Sequence, residues 1–280
     1  MSKAYINKII DQSLVDGFGN RTAIFLQGCN LNCHYCHNPE TINHCINCGL
    51  CVSTCPSHAL SMINGKVVYD IDKCINCDTC IKLCPYDSSP KVQLLSVEEV
   101  FDHISKNIPF IRGITLSGGE CTLNPVFIKE LFALAKAEDL STLLDSNGTY
   151  DFISDPSILK NCDGVMLDIK AYRDDDHFVL TDHHNQNIIE NALYLAKIHK
   201  LKEIRTVIVF DDDKAKETVS NIAALLADHV ETNNMTYKLI KYREYGVRKK
   251  YQNFKQPSDS LMSELKDIAL VSGFKDVIII

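Results

Sequence analysis

Beyond Ser96 the apolar positions alternate between two rhythms. Short runs dense in Leu, Ile and Val are followed by longer stretches in which apolar residues return every three or four positions, the repeat of one helix face. This predicts helices over Ser96–Asn107, Pro125–Ala137, Ile188–His199, Lys214–His229 and Ser258–Val271. The short runs predict strands over Gly113–Leu116, Leu140–Leu144, Val165–Asp168, Glu203–Val209, Met235–Ile240 and Val277–Ile280. An earlier run, Thr22–Gln27, reads as another buried strand. Strands that alternate with helices build a parallel sheet, closed or partly closed into an α/β barrel. The strand count fits a partial barrel of about six strands better than a closed eight.

Residues 41–93 break both rhythms; they are rich in Cys, Asn and Pro and hold no long periodic segment. They do hold a repeat. Cys45, Cys48, Cys51 and Cys55 return 29 positions later as Cys74, Cys77, Cys80 and Cys84, and Pro56 and Pro85 follow the two runs. Such a repeat marks a small two-part module. The chain therefore divides into a host unit, residues 1–40 and 94–280, and an inserted unit, residues 41–93.

The 280 residues are 45% hydrophobic and 23% charged, ample for one large core and a small module. A formal net charge of −7 argues against nucleic acid as a partner, which calls for a basic face. No apolar run approaches membrane-spanning length, and the N-terminal MSKAYINKIIDQ lacks the apolar core of a signal peptide. A soluble cytoplasmic protein with no membrane partner is expected.

Cysteine changes the picture. Of thirteen, eleven lie between Cys29 and Cys84 in tight groups, while Cys121 and Cys162 stand alone. In a cytoplasmic chain close spacing speaks for metal rather than disulfides. The two isolated cysteines read as small buried side chains. Cys29, Cys33 and Cys36 are spaced C-x3-C-x2-C. A structural zinc site wants four ligands. Three thiolates on a four-iron cluster leave one iron open to a substrate. The competing readings are a zinc knuckle that borrows His37, or three buried structural thiols.

Each repeat has the form C-x2-C-x2-C-x3-C-P, the bacterial two-cluster ferredoxin run, in which the fourth cysteine serves the other cluster. On that pattern Cys45, Cys48, Cys51 and Cys84 hold one [4Fe-4S] cluster, and Cys55, Cys74, Cys77 and Cys80 hold the second. With the first group this makes three clusters and about twelve iron per chain. The module either moves electrons or staples a loop-rich segment.

The later motifs sit at predicted strand ends, where barrel sites gather. Ser117-Gly118-Gly119-Glu120 offers backbone that a ligand can approach with no Cβ in the way. Asp145-Ser146-Asn147-Gly148 and Asp168-Ile169-Lys170 place two acids and a lysine where they can pair with each other or with a zwitterion. The plainer readings are a turn cap for Asp145 and a sheet-edge salt bridge for Asp168 and Lys170. Arg205 is either an interior cation or a strand-end charge. His183-His184 reads as a polar loop.

These residues together resemble the radical S-adenosylmethionine (SAM) superfamily. Val15-Asp-Gly-Phe-Gly19, Phe25-Leu-Gln-Gly-Cys29 and Tyr35-Cys36-His37-Asn-Pro39 are similar to the glycyl-radical-enzyme activases. With the ferredoxin runs, Ser117–Glu120, Asp145–Gly148 and Met166–Lys170, the chain most resembles the YjjW-type activases. The resemblance implies a partial (β/α)6 radical SAM barrel with an inserted two-cluster ferredoxin module. It implies that SAM chelates the open iron of the Cys29/Cys33/Cys36 cluster, and that Gly119 lies at its amino group. Tyr35, Cys36, His37, Asp168, Ile169 and Lys170 would be SAM contacts. Asp145, Ser146, Asp168 and the Met166 backbone would hold a monovalent cation.

The implied reaction is reductive cleavage of SAM to a 5′-deoxyadenosyl radical, which takes a hydrogen atom from one glycine of a partner enzyme. The implied partners are a glycyl radical enzyme of YjjI type and a flavodoxin- or ferredoxin-like electron donor. The alternatives are another radical SAM protein- or peptide-modifying reaction, or a non-catalytic iron–sulfur electron carrier. The chain departs from the family pattern in three places. Phe18 replaces a proline, Phe210-Asp211 replaces a proline–glycine turn, and Arg243 stands where a histidine contacts the ribose. Arg243 is expected either to take over that contact or to belong to a basic run with Lys241, Arg248, Lys249 and Lys250, which reads as a solvated loop or as a lip of the site facing SAM or the partner.

Overall fold

The computed structural model describes residues 1–280 and begins with a strand at Lys3–Ser13 (β1), antiparallel to Arg21–Leu26 (β2). The segment that follows contains a hairpin of Leu60–Ile63 (β3) and Lys66–Tyr69 (β4) and a single helical turn, Thr79–Lys82 (α1). Asn64 and Gly65 turn the hairpin with φ of 51° and 73°, the left-handed pair that a two-residue loop demands. The chain then rejoins β1 through Gln93–Ser96 (β5) and enters Val97–Ser105 (α2). Ser96 and Glu99 close a reciprocal capping box at the start of α2.

From here strands and helices alternate: Gly113–Gly118 (β6), Pro125–Ala137 (α3), Ser141–Ser146 (β7) and Gly164–Asp168 (β8). Asp174–Thr181 (α4) and Gln186–Lys197 (α5) lead to Leu201–Ile208 (β9). Asp212–Leu226 (α6), the short Val230–Asn233 (α7), Thr236–Lys241 (β10), Asp259–Val271 (α8) and Asp276–Ile279 (β11) complete the fold. Pro125 begins α3 at a position whose N–H has no intrahelical partner, and Ser258 caps α8.

Nine strands form one open sheet in the order β11-β10-β9-β8-β7-β6-β2-β1-β5. The run from β2 to β11 is parallel throughout, so the C-terminal ends of its strands face one side. The helices pack on it to bury a cluster of 47 apolar residues. At the opposite end of the strands Arg21 is fully buried, donating to Thr115 Oγ1, Ile114 O and Ser141 O. No helix is long and apolar enough to cross a membrane.

The sheet is wider than expected. β1 escaped the sequence pattern because register shifts at Ile6/Lys8 and Ile10/Ser13 break its alternation. The long helix expected over Lys214–His229 ends at Leu226 and tightens into a 3₁₀ turn.

Candidate functional site

The loops after β2, β6, β7 and β8 surround a cavity of about 310 Å³, with side chains from β9 and β10 in its wall. Cys29, Cys33 and Cys36 all face it, as do Tyr35, His37, Gly119, Asp145, Ser146, Asp168 and Lys170. Residues as far apart in sequence as Asp16 and Ile240 thus meet at one mouth.

The cysteine loop is held by its backbone. Gly28 and Cys29 donate to the carbonyls of Thr41 and Ile42, both at 2.9 Å, and Asn32 and His34 donate to Thr181 and Leu180 at the end of α4. Gln27 is buried and reaches the carbonyls of Glu40 and Asn43 at 2.7 and 2.6 Å. Burial pushes the Cys29 and Cys33 thiols up to about 12 and Cys36 to about 11. As thiolates they therefore need a cation beside them. No three His, Cys, Asp or Glu side chains close tightly enough to hold a single metal ion. His37 is engaged elsewhere: its Nε2–H donates to Arg243 O at 3.0 Å, and its ring stacks on Tyr242. The three sulfurs on one cavity wall suit a polynuclear cluster better than a zinc tetrahedron.

The β6 turn is packed as closely as backbone allows. A Cβ on Gly119 would lie 2.1 Å from Gly28 O, so no other residue fits without moving the cysteine loop. Glu120 is buried beneath the turn and accepts from Thr122 N–H, Ser146 Oγ–H at 2.9 Å and Asn147 N–H at 2.6 Å. Burial raises its pKa, and these donors offset part of the rise. Glu120 thereby binds the β6 loop to the β7 loop. Asn147 carries the link onward, donating to Asn30 Oδ1 at 3.0 Å and lying 3.9 Å from Cys29 Sγ.

Opposite the cysteines lies a row of charges. Lys170 Nζ is 2.8 Å from Asp168 Oδ2. Burial works against the ammonium, but Asp168, Tyr35 and Cys33 together outweigh it and keep the Lys170 pKa above its ordinary value. Asp145 Oδ2 accepts from Ser117 Oγ–H and pairs with Arg205 Nη1, both at 2.8 Å. Burial raises the Asp145 pKa despite Arg205. Arg205 also pairs with Glu203, which Lys238 holds at 3.0 Å, and donates to the Met166 sulfur at 3.3 Å. Arg205 is an interior cation, and the carboxylate expected to help hold a monovalent cation already carries its guanidinium.

Three expected contacts stand outside the cavity wall. Ile169 is buried in the core, bonded through its N–H to Arg205 O. Met166, whose backbone was expected at the cation, does not line the cavity. The Arg243 side chain is exposed, and only its carbonyl meets the site, through His37. Arg248, placed in the solvated run by pattern, is instead buried against Cys33 and Asp87. Asp16 and Phe25 line the cavity and Asn147 touches the cysteine loop, three residues given no role from sequence. Only proximity in the fold reveals them. Cys121 and Cys162 are buried among core residues, donating to Asp145 O and Gly164 O.

In the inserted segment Cys45, Cys48, Cys51 and Cys84 border one hollow. Cys55, Cys74, Cys77 and Cys80 border another, and Cys80 also reaches the first. The repeat extends to the backbone. Asn47 and Asn76 both adopt positive φ, as do Gly49 and Asp78, and Asn47 N–H and Asn76 N–H point at the sulfurs of Cys45 and Cys74, each at 3.4 Å. Such donors favour sulfur that carries negative charge.

The cavity has the means to hold SAM beside a cluster: three free thiols, a turn without side chains, and a buried ammonium–carboxylate pair. The Tyr35 hydroxyl, buried at its wall, has no partner.

Comparison with known proteins agrees. Residues 23–225 match the Radical SAM superfamily. A putative glycyl-radical enzyme activating enzyme of Haemophilus influenzae is 27% identical over 264 residues, covering 87% of this chain and 83% of that protein. The indoleacetate decarboxylase activating enzyme of Tractidigestivibacter scatoligenes is 29% identical, covering 99% and 97%. The trans-4-hydroxy-L-proline dehydratase activating enzyme of Clostridioides difficile is 29% identical, covering 94% of each. Among solved structures, QueE from Escherichia coli superposes with a TM-score of 0.54 at 13% identity, covering 99% of this chain and 94% of that one. Streptococcus suis SuiB bound to its precursor peptide reaches 0.57 at 13% identity, covering 91% of this chain and 47% of its own. Both share the fold.

Proposed function

The chain belongs to the radical SAM superfamily, and on that premise we propose that it is an activating enzyme that installs a glycyl radical in a partner enzyme. The convergence of Cys29, Cys33 and Cys36, the Gly119 turn and the Asp168–Lys170 pair on one cavity carries this reading. The names of its relatives support it.

Cys29, Cys33 and Cys36 would hold a [4Fe-4S] cluster with one iron left for SAM. When bound, the cluster supplies one electron to the SAM sulfonium, releasing methionine and a 5′-deoxyadenosyl radical that takes a hydrogen atom from a glycine α-carbon. The chain's own residues bind and orient. Lys170 offers its ammonium to the SAM carboxylate by a charge-assisted hydrogen bond. Gly119 packs its backbone against Gly28 and borders the cavity where the amino group would lie. Tyr35, Cys36, His37 and Asp168, which line the same cavity, would be further SAM contacts. Asp145 keeps Arg205 in place, so any monovalent cation between Asp145 and Asp168 has to share Asp145 with a guanidinium.

Residues 41–93 form a two-cluster ferredoxin-like module in this reading, with the two cysteine sets described above. Together with Ser117–Glu120, Asp145–Gly148 and Met166–Lys170 the module supports a reading as the YjjW type with a YjjI-type partner and electrons from a flavodoxin- or ferredoxin-like donor in the cytoplasm. The test is anaerobic. The reconstituted, reduced protein is mixed with SAM and a candidate glycyl radical enzyme. The expected products are methionine, 5′-deoxyadenosine and a protein-centred doublet in electron paramagnetic resonance that loses its splitting when the partner carries α-deuterated glycine. Deoxyadenosine with no radical on any such partner, but with a covalently altered peptide, would transfer the chain to another radical SAM reaction.

A further inference from the structure

The loop that carries Cys29, Cys33 and Cys36 meets the inserted segment and the loop after β10 at one side chain, Arg248. That side chain is 7% exposed. Its Nη1 donates to Asn32 Oδ1 at 2.6 Å and to Asp87 Oδ2 at 3.0 Å. Its Nη2 donates to the carbonyl of Cys33 at 2.7 Å and reaches that of Asn32 at 3.4 Å. The guanidinium lies 4.7 Å over the Tyr251 ring, and that ring stacks on His34 at 4.0 Å. Its Nε is buried without a partner.

Asp87 stands at the neck of the segment. Its carbonyl accepts from Asn43 N–H at 3.0 Å, which joins the two ends of residues 41–93, and it follows Cys84 by three positions. A buried guanidinium is tolerated when it is paired and its donors are satisfied. Here a single carboxylate does the pairing, from the segment's side, and most of the remaining donors go to the cysteine loop. The result is a fixed positive charge at the backbone of one expected cluster ligand, with its counter-charge at the segment.

We propose that Arg248 is a positioning residue for the SAM-cleaving cluster, fixing the Asn32–Cys33 turn and favouring the reduced cluster, while Asp87 tempers that charge and ties it to the inserted segment. This rests on the radical SAM reading. A cluster gains one negative charge on reduction, so a nearby cation stabilises the reduced form and an anion disfavours it. Arg248 and Asp87 must then act with opposite sign. A clasp with only a structural role would respond alike to the loss of either partner.

The test is a redox titration of the anaerobically reconstituted full chain, followed by electron paramagnetic resonance. The relevant cluster is the component whose signal changes when SAM is added. At the wild-type midpoint, Arg248→Met is expected to lower the reduced-to-oxidised ratio of that component about tenfold, or about 59 mV for one electron. Asp87→Asn is expected to raise the ratio about threefold, a smaller effect from the more distant charge. Arg248→Lys, which keeps the charge but not the fork, should stay within about twofold of wild type. The proposal fails if Arg248→Met leaves the ratio unchanged, or if Asp87→Asn fails to raise it. Should Arg248→Met not fold, Asp87→Asn alone decides by the direction of its shift. If the wild type shows no SAM-responsive component, the radical SAM reading falls, and this proposal with it.

Discussion

In the host sheet 47 buried apolar residues pack into one cluster, and not one of them comes from positions 27–96. The inserted segment leaves Ile46, Leu50, Ile71 and Ile75 between 57% and 63% exposed. Its order rests on one hairpin, a few left-handed turns and two rings of cysteine. The sulfurs differ as well. Burial holds the Cys29, Cys33 and Cys36 thiols high, whereas the segment is mixed: burial raises Cys51 and Cys80, but Cys77 lies below its ordinary value because Thr79 donates to it. A segment this short cannot bury enough surface to fold on apolar contacts alone and needs cross-links. On the proposed reading the host would use its metal for chemistry, while the segment would need metal to have a core at all.

The sharpest way to break this contrast is one cysteine from each region. Cys33→Ala is expected to abolish formation of 5′-deoxyadenosine, measured by chromatography after anaerobic reconstitution. Cys77→Ala should retain cleavage when a strong chemical reductant replaces the natural donor. Equal loss in both would erase the distinction, and insoluble Cys77→Ala protein would make the segment a staple for the whole chain.

Removing iron with a chelator comes next. Protease cuts should then concentrate in residues 41–93 while far-ultraviolet circular dichroism of the host persists. Cuts spread evenly over the chain would mean that the host also depends on metal.

Within the host, Lys170→Ala should weaken SAM binding by roughly 2–5 kcal/mol, the cost of leaving a buried charge partner unpaired. Calorimetry on the reconstituted protein measures this, and unchanged affinity would restrict Lys170 to holding Asp168. The smallest effect is expected at Arg243, whose side chain is exposed. Arg243→Ala should alter SAM affinity by no more than about twofold, as exposed positions do. A tenfold loss would reinstate the ribose contact and bring the loop after β10 into the site.

The parallel core was legible because its signals are local. Thr22–Gln27, Val165–Asp168 and Met235–Ile240 were expected as strands, and each overlaps an observed strand to within a residue or two at its ends. Ser258 was expected as the first residue of a helix and is its cap. Asn64-Gly65 announces the hairpin of the segment, but its strands are four residues each and largely exposed, so no buried apolar face marks them in the sequence. The site residues were legible where a motif names them, as at Gly119 and Lys170. Arg248 was not, because its burial depends on Asn32, Cys33 and Asp87, which lie at least 161 positions away. No local pattern separates it from Lys249 and Lys250, which are exposed.

Asn43 and Ser88 lie side by side as a bridge pair, with Asn43 N–H bonded to Asp87 O. The two stumps run parallel, so closing the gap left by removing everything between them would take a returning connection rather than a tight turn. The same seam marks where a protein engineer would cut to remove the eight cysteines that lie between Asn43 and Ser88. Asp87 sits on the seam itself, so the choice of which side of it to cut decides whether Arg248 keeps its counter-ion.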